Sequence, residues 1–513
     1  MEEDDLAKAF DAMSFFRPPI VRSAGAILDR ALFSKTFPIS AARITNLKKI
    51  SEYRTKLAKS RELLRLERIT NVQPDPNPAL APKGTKCLLL SPEVKSEEPN
   101  TWSAILKEAV EKEEVKVVPY DLKLEYSYWT YHDIMTSILP DEAQEEIPVG
   151  FAIVGHVAHL NLRDEYLQYK NLIAEVLMDK NPGIRTVVNK IDDVGTHSEF
   201  RTFDYEVLAG PDDMDVEISE GDCIFRFNYS KVYWNTRLQT EHKRLVDSFS
   251  RGEVVCDVMA GVGPFAIPAG KKGVFVWAND LNPDSYEAMV DAIKRNKVQP
   301  FVRPHCEDGH TFIRSAADTV LSLASTGENT ASIPAKPYRP KYWTGPPPQP
   351  TIITIPSTIS HFVMNLPATA IDFLGSFNGL YAGHEDLFAE DQGRKLPMVH
   401  VHCFSTKSDD NIAECHDICQ RITEKLGYEV HPRIGQGRNA NTEHWEKLAL
   451  QEGEVLVREV RDVAPKKRMF CASFRVPREL AKTDESKTLA YVAWAFVVSR
   501  IHFSVHLPET SGY

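Results

Sequence analysis

Three carboxylates stand where an apolar run meets a turn: Asp257 in "EVVCDVMAGVGPFAIPAG", Asp280 in "GVFVWANDLNP" and Asp308 in "PHCEDGHTF". Asp257 precedes Gly261 and Gly263, whose G-x-G-x-x-A spacing lets a backbone turn approach a bound nucleotide. A phosphate-binding P-loop would end in Gly-Lys-Ser/Thr, and "GKKG" at 270–273 lies too far along and lacks the hydroxyl. A dinucleotide fits the glycines too, and Asp280 falls about 20 residues on, where an acid bonds ribose hydroxyls. The carboxylates favour a different cofactor. A pyrophosphate beside Asp257 would be repelled, whereas the ammonium of a methionine moiety would be attracted. Asp308 is suited to accept from an adenine amino group. Three acids at three successive strand ends therefore point to S-adenosylmethionine.

A fourth strand end carries Asn365, in "MNLPA". Asn, an apolar residue and Pro at the carboxyl end of a strand resemble the NPPY-type motifs of amino-methyltransferases, in which the side-chain oxygen accepts from a planar nitrogen. A strand-end turn would use the same residues.

These positions require strands and helices in alternation. From residue 253 the pattern alternates in that way, the mark of a doubly wound parallel sheet, with Pro264 in a first-turn position of the helix after the glycines. "GENTASIPAKPYRPKYWTGPPPQPTIITIP", within 325–356, is too proline-rich for a helix or a central strand and reads as a surface insertion. "ISHFVMNLPA" resumes the sheet. Upstream, residues 147–250 read as a second module of several strands ending in a helix at 238–249. Residues 41–146 read as a small α/β module. Within it, residues 41–70 read as helical, with nine Lys/Arg against three Glu, a basic cluster suited to phosphates. Residues 1–40 form an extension whose segment from Met13 is Arg-rich and acid-poor, the composition of a mitochondrial transit peptide.

The 513 residues and 42% hydrophobic content suit several globular domains. A net charge of -11 excludes a protein that coats nucleic acid but permits a local basic grip on one RNA. Eight scattered cysteines read as reduced thiols, and Cys415 and Cys419, four apart with no second pair at finger spacing, read as core and not as zinc ligands. No metal is expected. No apolar run approaches membrane-spanning length, and "LAYVAWAFVV" at 489–498 reads as a buried segment.

The motifs "SEFRTFDYEVLAG", "SKVYWNTRLQTEHKRL", "CDVMAGVGPF", "NDLNP" and "NLP" occur here in the order found in the eukaryotic and archaeal tRNA (guanine-37 N1)-methyltransferases, which the chain resembles over about 150–310 and 360–476, with weaker agreement at 85–140. The resemblance implies a class I, Rossmann-like S-adenosylmethionine methyltransferase domain behind N-terminal α/β RNA-recognition modules, of the fungal type. It implies that Glu241 is the general base for guanine N1, that Arg201 holds the base and its O6, and that Asn365 faces the substrate. Tyr233, Arg237 and His242 would line the pocket, and Asp257, Gly261, Gly263, Asp280, Leu281, Asn282, Asp308, Gly309 and Asn365 would hold the cofactor. Guanine N1 is a poor nucleophile until its proton is removed, which a carboxylate in reach can do. The charge pushed onto O6 suits a guanidinium.

The expected partner is tRNA with G37, without a membrane and with the chain acting as a monomer in the mitochondrial matrix, nucleus and cytoplasm. The rival within the fold is a wybutosine-pathway aminocarboxypropyltransferase, and the rival outside it a catalytically silent tRNA-binding protein. Glu241 with "NLP" favours methyl transfer. The tail beyond "MFCASFRVP" has no counterpart in the pattern.

Overall fold

The computed structural model describes residues 15–22, 27–191, 200, 202–333, 349–433 and 450–482. The chain divides into two compact units. Met1–Ala152, Ala158–Lys190 and Tyr205–Asp212 form the first; Ile153–Val157, Ile191–Asp204 and Asp213–Tyr513 form the second. This division cuts through the module read at 147–250. Its helix Lys170–Lys180 and strand Thr186–Lys190 share the first unit's core, while the hairpin Asp215–Glu220/Cys223–Asn228 belongs to the second.

In the first unit the strand Lys35–Ile44 is flanked by Lys86–Leu89 and Val115–Leu124, antiparallel on both sides. Residues 41–44 therefore end a strand, and the helix expected over 41–70 is confined to Ile50–Lys59. Ala41 and Ala42, good helix formers, are fully buried here because a central strand has neighbours on both sides. A helix runs over Ala104–Glu111, started by Ser103, whose side chain accepts from the Leu106 amide. Residues 15–22 also fold onto this unit. The Phe15 and Phe16 rings lie 5.7 and 5.0 Å from that of Phe37, and Arg22 meets Asp141 at 2.7 Å and donates to the Leu139 carbonyl.

The second unit holds an eight-stranded sheet. Its strands in chain order are β1 (Val254–Asp257), β2 (Phe275–Asn279), β3 (Val302–His305), β4 (His361–Met364), β5 (Met398–Ser405), β6 (His431–Pro432), β7 (Glu454–Ala464) and β8 (Lys467–Arg475). Their spatial order is β3-β2-β1-β4-β5-β8-β7-β6. The first five strands are parallel, while β8 runs antiparallel to β5 and to β7. Helices α1 (Gln239–Ser248), α2 (Ala266–Lys272), α3 (Pro283–Arg295), α4 (Gly309–Ser325) and α5 (Ile412–Leu426) accompany it. β1 and β2 are buried throughout, as expected for parallel strands covered on both faces.

The insertion begins where α4 ends. Thr330–Ile333 and Thr351–Thr354 pair as a hairpin in a sheet of their own, outside the main one. Cys415 and Cys419 pack in the core, and all eight cysteines are free thiols. Among the described residues no helix is long and apolar enough to cross a membrane. The segment 489–498 lies outside the described residues.

Candidate functional site

The strand order reverses between β1 and β4, and the crevice at the carboxyl ends of such strands is where ligands of doubly wound sheets bind. Asp257 closes β1 there. It is fully buried, and neither carboxylate oxygen has a hydrogen-bond partner among the described residues. Burial, reinforced by the Asp280 carboxylate, pushes its carboxyl up to about 8. A buried carboxylate with nothing to bond is costly unless a cation or donor arrives. The ammonium of a methionine moiety is such a partner, so the site fits the expected cofactor.

The glycine turn is built around the second acid. Asp280 accepts from the Gly261 amide at 2.7 Å and from the Asn282 amide at 3.0 Å, so it locks the turn to the end of β2. Gly263 has φ +95°, and a Cβ there would stand 2.9 Å from Ile267, so only glycine suits the position. Asn279, buried at the end of β2, donates to the carbonyls of Val258 and Glu307 at 3.1 and 2.9 Å and ties all three loops together. Asn282 caps α3 and donates to the Lys231 carbonyl at 2.8 Å. Leu281 beside it is exposed, an apolar surface at the crevice rim. Asp308 caps α4, accepting from the His310 and Thr311 amides, and remains exposed. A Cβ on Gly309 would approach the Phe373 ring to 2.9 Å.

Asn365 follows β4, and its Oδ1 is buried without a partner among the described residues, an acceptor left available at the switch point. On α1, Glu241 is buried and held by two cationic side chains. Arg244 Nε meets Oε2 at 2.7 Å and a terminal nitrogen meets Oε1 at 2.6 Å. His402 Nε2, from β5, meets Oε1 at 2.8 Å. Burial alone would raise the Glu241 carboxyl, but the hydrogen bonds from Arg244 and His402 outweigh it and hold the group well below the usual carboxylate range. Cys471 offers a third ligand-type atom within 4.8 Å of Glu241 and His402, but Arg244 already supplies the carboxylate with a cation.

His242 sits on the same helix, bonded through Nδ1 to Glu220 at 2.6 Å and edge-on to Phe265 at 4.7 Å. It is thus committed to the protein. Tyr233 and Arg237 are exposed, and Arg461 of β7 lies near enough to both to interact electrostatically. Arg201 lies outside the described residues. Sequence reasoning missed Arg244, His402 and Arg461. The signal available for His402 was "HVHCF", which places His400 and His402 on one face of a strand, but only the fold brings that face under α1.

Residues 217–328 match the family described as the TRM5/TYW2 methyltransferase domain, and residues 131–213 the TYW2 N-terminal domain. The chain is 58% identical over 469 residues to a tRNA (guanine(37)-N(1))-methyltransferase of Neurospora crassa, covering 91% of this chain and 95% of that one. It is 42% identical over 450 residues to the Schizosaccharomyces pombe protein of the same description, covering 88% and 93%. In fold it is similar to wild-type Trm5b from Pyrococcus abyssi, with a TM-score of 0.52 at 21% identity, over 86% of this chain and 99% of that one. It is likewise similar to the protein of a complex between aTrm5 and tRNALeu, with a TM-score of 0.53 at 20% identity, over 85% and 99%.

Proposed function

The chain belongs to the tRNA (guanine(37)-N(1))-methyltransferase family, and from that premise we propose that the second unit methylates N1 of guanosine 37 in tRNA with S-adenosyl-L-methionine. The observation that carries this reading is Asp257, a buried carboxylate without a hydrogen-bond partner among the described residues, at the switch point of the sheet. When bound, S-adenosylmethionine supplies a methyl group on a cationic sulfonium. Asp257 would hold its ammonium, the Gly261–Gly263 turn would admit its backbone-facing edge, and Asp280 and Asp308 would meet ribose and adenine.

Toward the nucleotide, Glu241 takes the N1 proton and Asn365 Oδ1 accepts from the base. Arg201 receives the charge on O6, as its place in the family motif implies. Tyr233 and Arg237, exposed beside Arg461, form the rim that meets the flanking nucleotides. Position 37 lies in a single-stranded loop, so the base can be turned out into such a pocket. The wybutosine-pathway alternative shares the domain description, but relatives at 42–58% identity carry the methyltransferase description. Incubation with tRNA transcripts carrying G or A at position 37, read by nucleoside mass, tests the reading. 1-Methylguanosine from the G37 transcript alone supports it, and an aminocarboxypropyl adduct or no product overturns it.

The chain acts as a monomer in the mitochondrial matrix, the nucleus and the cytoplasm, and the basic segment after Met13 supports mitochondrial entry. Because Phe16 and Arg22 are built into the first unit, targeting leaves them in place. Sequencing the amino terminus of the mitochondrial form tests this.

A further inference from the structure

The two oxygens of Glu241 are unequally engaged. Oε1 accepts two hydrogen bonds, from Arg244 at 2.6 Å and from His402 at 2.8 Å. Oε2 accepts one among the described residues, from Arg244 Nε at 2.7 Å. Each carboxylate oxygen offers about two lone pairs, so Oε1 is full and Oε2 retains one. Resting on the reading of Glu241 as the base for guanine N1, we propose that His402 is a positioning residue: it commits Oε1 to the protein and so leaves Oε2 as the oxygen that takes the proton.

The environment of His402 supports a role directed at Glu241. Its ring is fully buried, Nδ1 has no hydrogen-bond partner among the described residues, and the bond from Nε2 to Glu241 ties it to α1, with the Cys471 thiol also in reach. Its neighbour on the same strand face is used differently. His400 bonds Ser473 at 2.8 Å through Nδ1 and His361 at 3.0 Å through Nε2, which makes it part of the sheet's internal packing.

The charged and titratable groups around His402 come from four elements besides its own. Glu241 and Arg244 face it from α1, Cys471 from β8, Asp257 from β1, and Arg458 of β7 interacts electrostatically with Arg244, Glu241 and Cys471. Burial would lower His402, but Cys471 and the Glu241 carboxylate outweigh burial and raise it above the ordinary histidine value. Near neutrality the ring is then a cation that restrains the basicity of Glu241.

The test compares the wild type, His402→Gln and His402→Ala in single-turnover methylation of a G37 transcript at saturating cofactor, across a pH series from slightly acid to alkaline. Ionisation of the substrate base is common to all three and cancels in the ratios. Gln places a neutral N–H near Nε2, whereas Ala places none. His402→Ala is expected to slow the step roughly 10- to 100-fold, with unchanged affinity for tRNA and S-adenosylhomocysteine. His402→Gln is expected to recover most of that loss, because it restores a donor to Oε1. Two results overturn the proposal: a wild-type rate in His402→Ala, or a rate in His402→Gln no higher than that of His402→Ala. A wild-type protein that makes no 1-methylguanosine would instead overturn the function on which the proposal rests.

Discussion

His402 Nε2 and Glu241 Oε1 lie 2.8 Å apart, joining a strand and a helix whose residues are separated by 161 positions in sequence. With Arg244 on the same carboxylate, the contact makes Glu241 a fixed, ionised group. A base that must meet one ring nitrogen gains more from a fixed position than from high intrinsic basicity, because misplacement costs rate steeply.

Glu241→Gln keeps the shape of the side chain but cannot take a proton. Its single-turnover rate is expected to fall ~100-fold or more, with cofactor affinity retained. Thermal unfolding run alongside separates chemistry from folding, since Arg244 loses its anion in this variant. A rate within threefold of wild type would remove Glu241 from the mechanism.

Asp257 should link cofactor binding to pH. Held up to about 8, its carboxyl is protonated in the folded, ligand-free protein near neutrality, whereas the unfolded chain ionises near pH 4. The folded state binds the extra proton between those values, so the contribution of this group to stability is largest in acid and is lost as pH rises through the window. A bound ammonium favours the ionised form, so cofactor binding below about pH 8 should release a proton, and affinity should rise with pH up to that point. Calorimetry in buffers of different ionisation enthalpy measures the release. Asp257→Asn should abolish it and weaken binding about tenfold or more.

The positions of the three acids and Asn365 after successive strands were legible in the sequence because each follows an apolar run that ends in a turn. That Asp257 has no hydrogen-bond partner among the described residues was not legible, since burial depends on which loops close over it. His402 was hidden for a different reason: in "MVHVHCFS" its spacing is that of any buried strand, and its partner comes from a helix that precedes β1. The misread at residues 41–44 has the same origin. Alanine and arginine favour a helix locally, and pairing with strands at 86–89 and 115–124 overrides that preference.

Asn279 is predicted to matter for the cofactor without touching it. Its amide group holds the loops after β1 and β3 together through the Val258 and Glu307 carbonyls, and its own Oδ1 accepts from the Glu307 amide at 2.8 Å. Asn279→Ala leaves buried carbonyls and an amide without partners, at a cost of ~1–3 kcal/mol. Cofactor affinity should drop, while tRNA affinity measured without cofactor should not. Equal weakening of both ligands would mean that the whole unit, not the loop junction, had been disturbed.

The first unit offers a separate test, on its basic helix. Arg54 and Lys59 are exposed on Ile50–Lys59, while Lys56 is matched by Glu52 at 2.6 Å and Tyr53 and Leu57 point into the core. Cations on an exposed helix face that have no ion pair among the described residues are suited to phosphates, and each phosphate contact releases counterions. Arg54→Glu with Lys59→Glu changes no buried residue, so folding should be unaffected. If this face grips the tRNA, the KM for tRNA should rise about tenfold and kcat should stay level, because the chemistry belongs to the other unit. The decisive quantity is the salt dependence of binding. Two lost phosphate contacts should reduce the slope of log K against log salt by about two. An unchanged slope would show that the net charge of +6 over residues 41–70, nine basic residues against three acidic, is a solvated surface and that the RNA is held elsewhere.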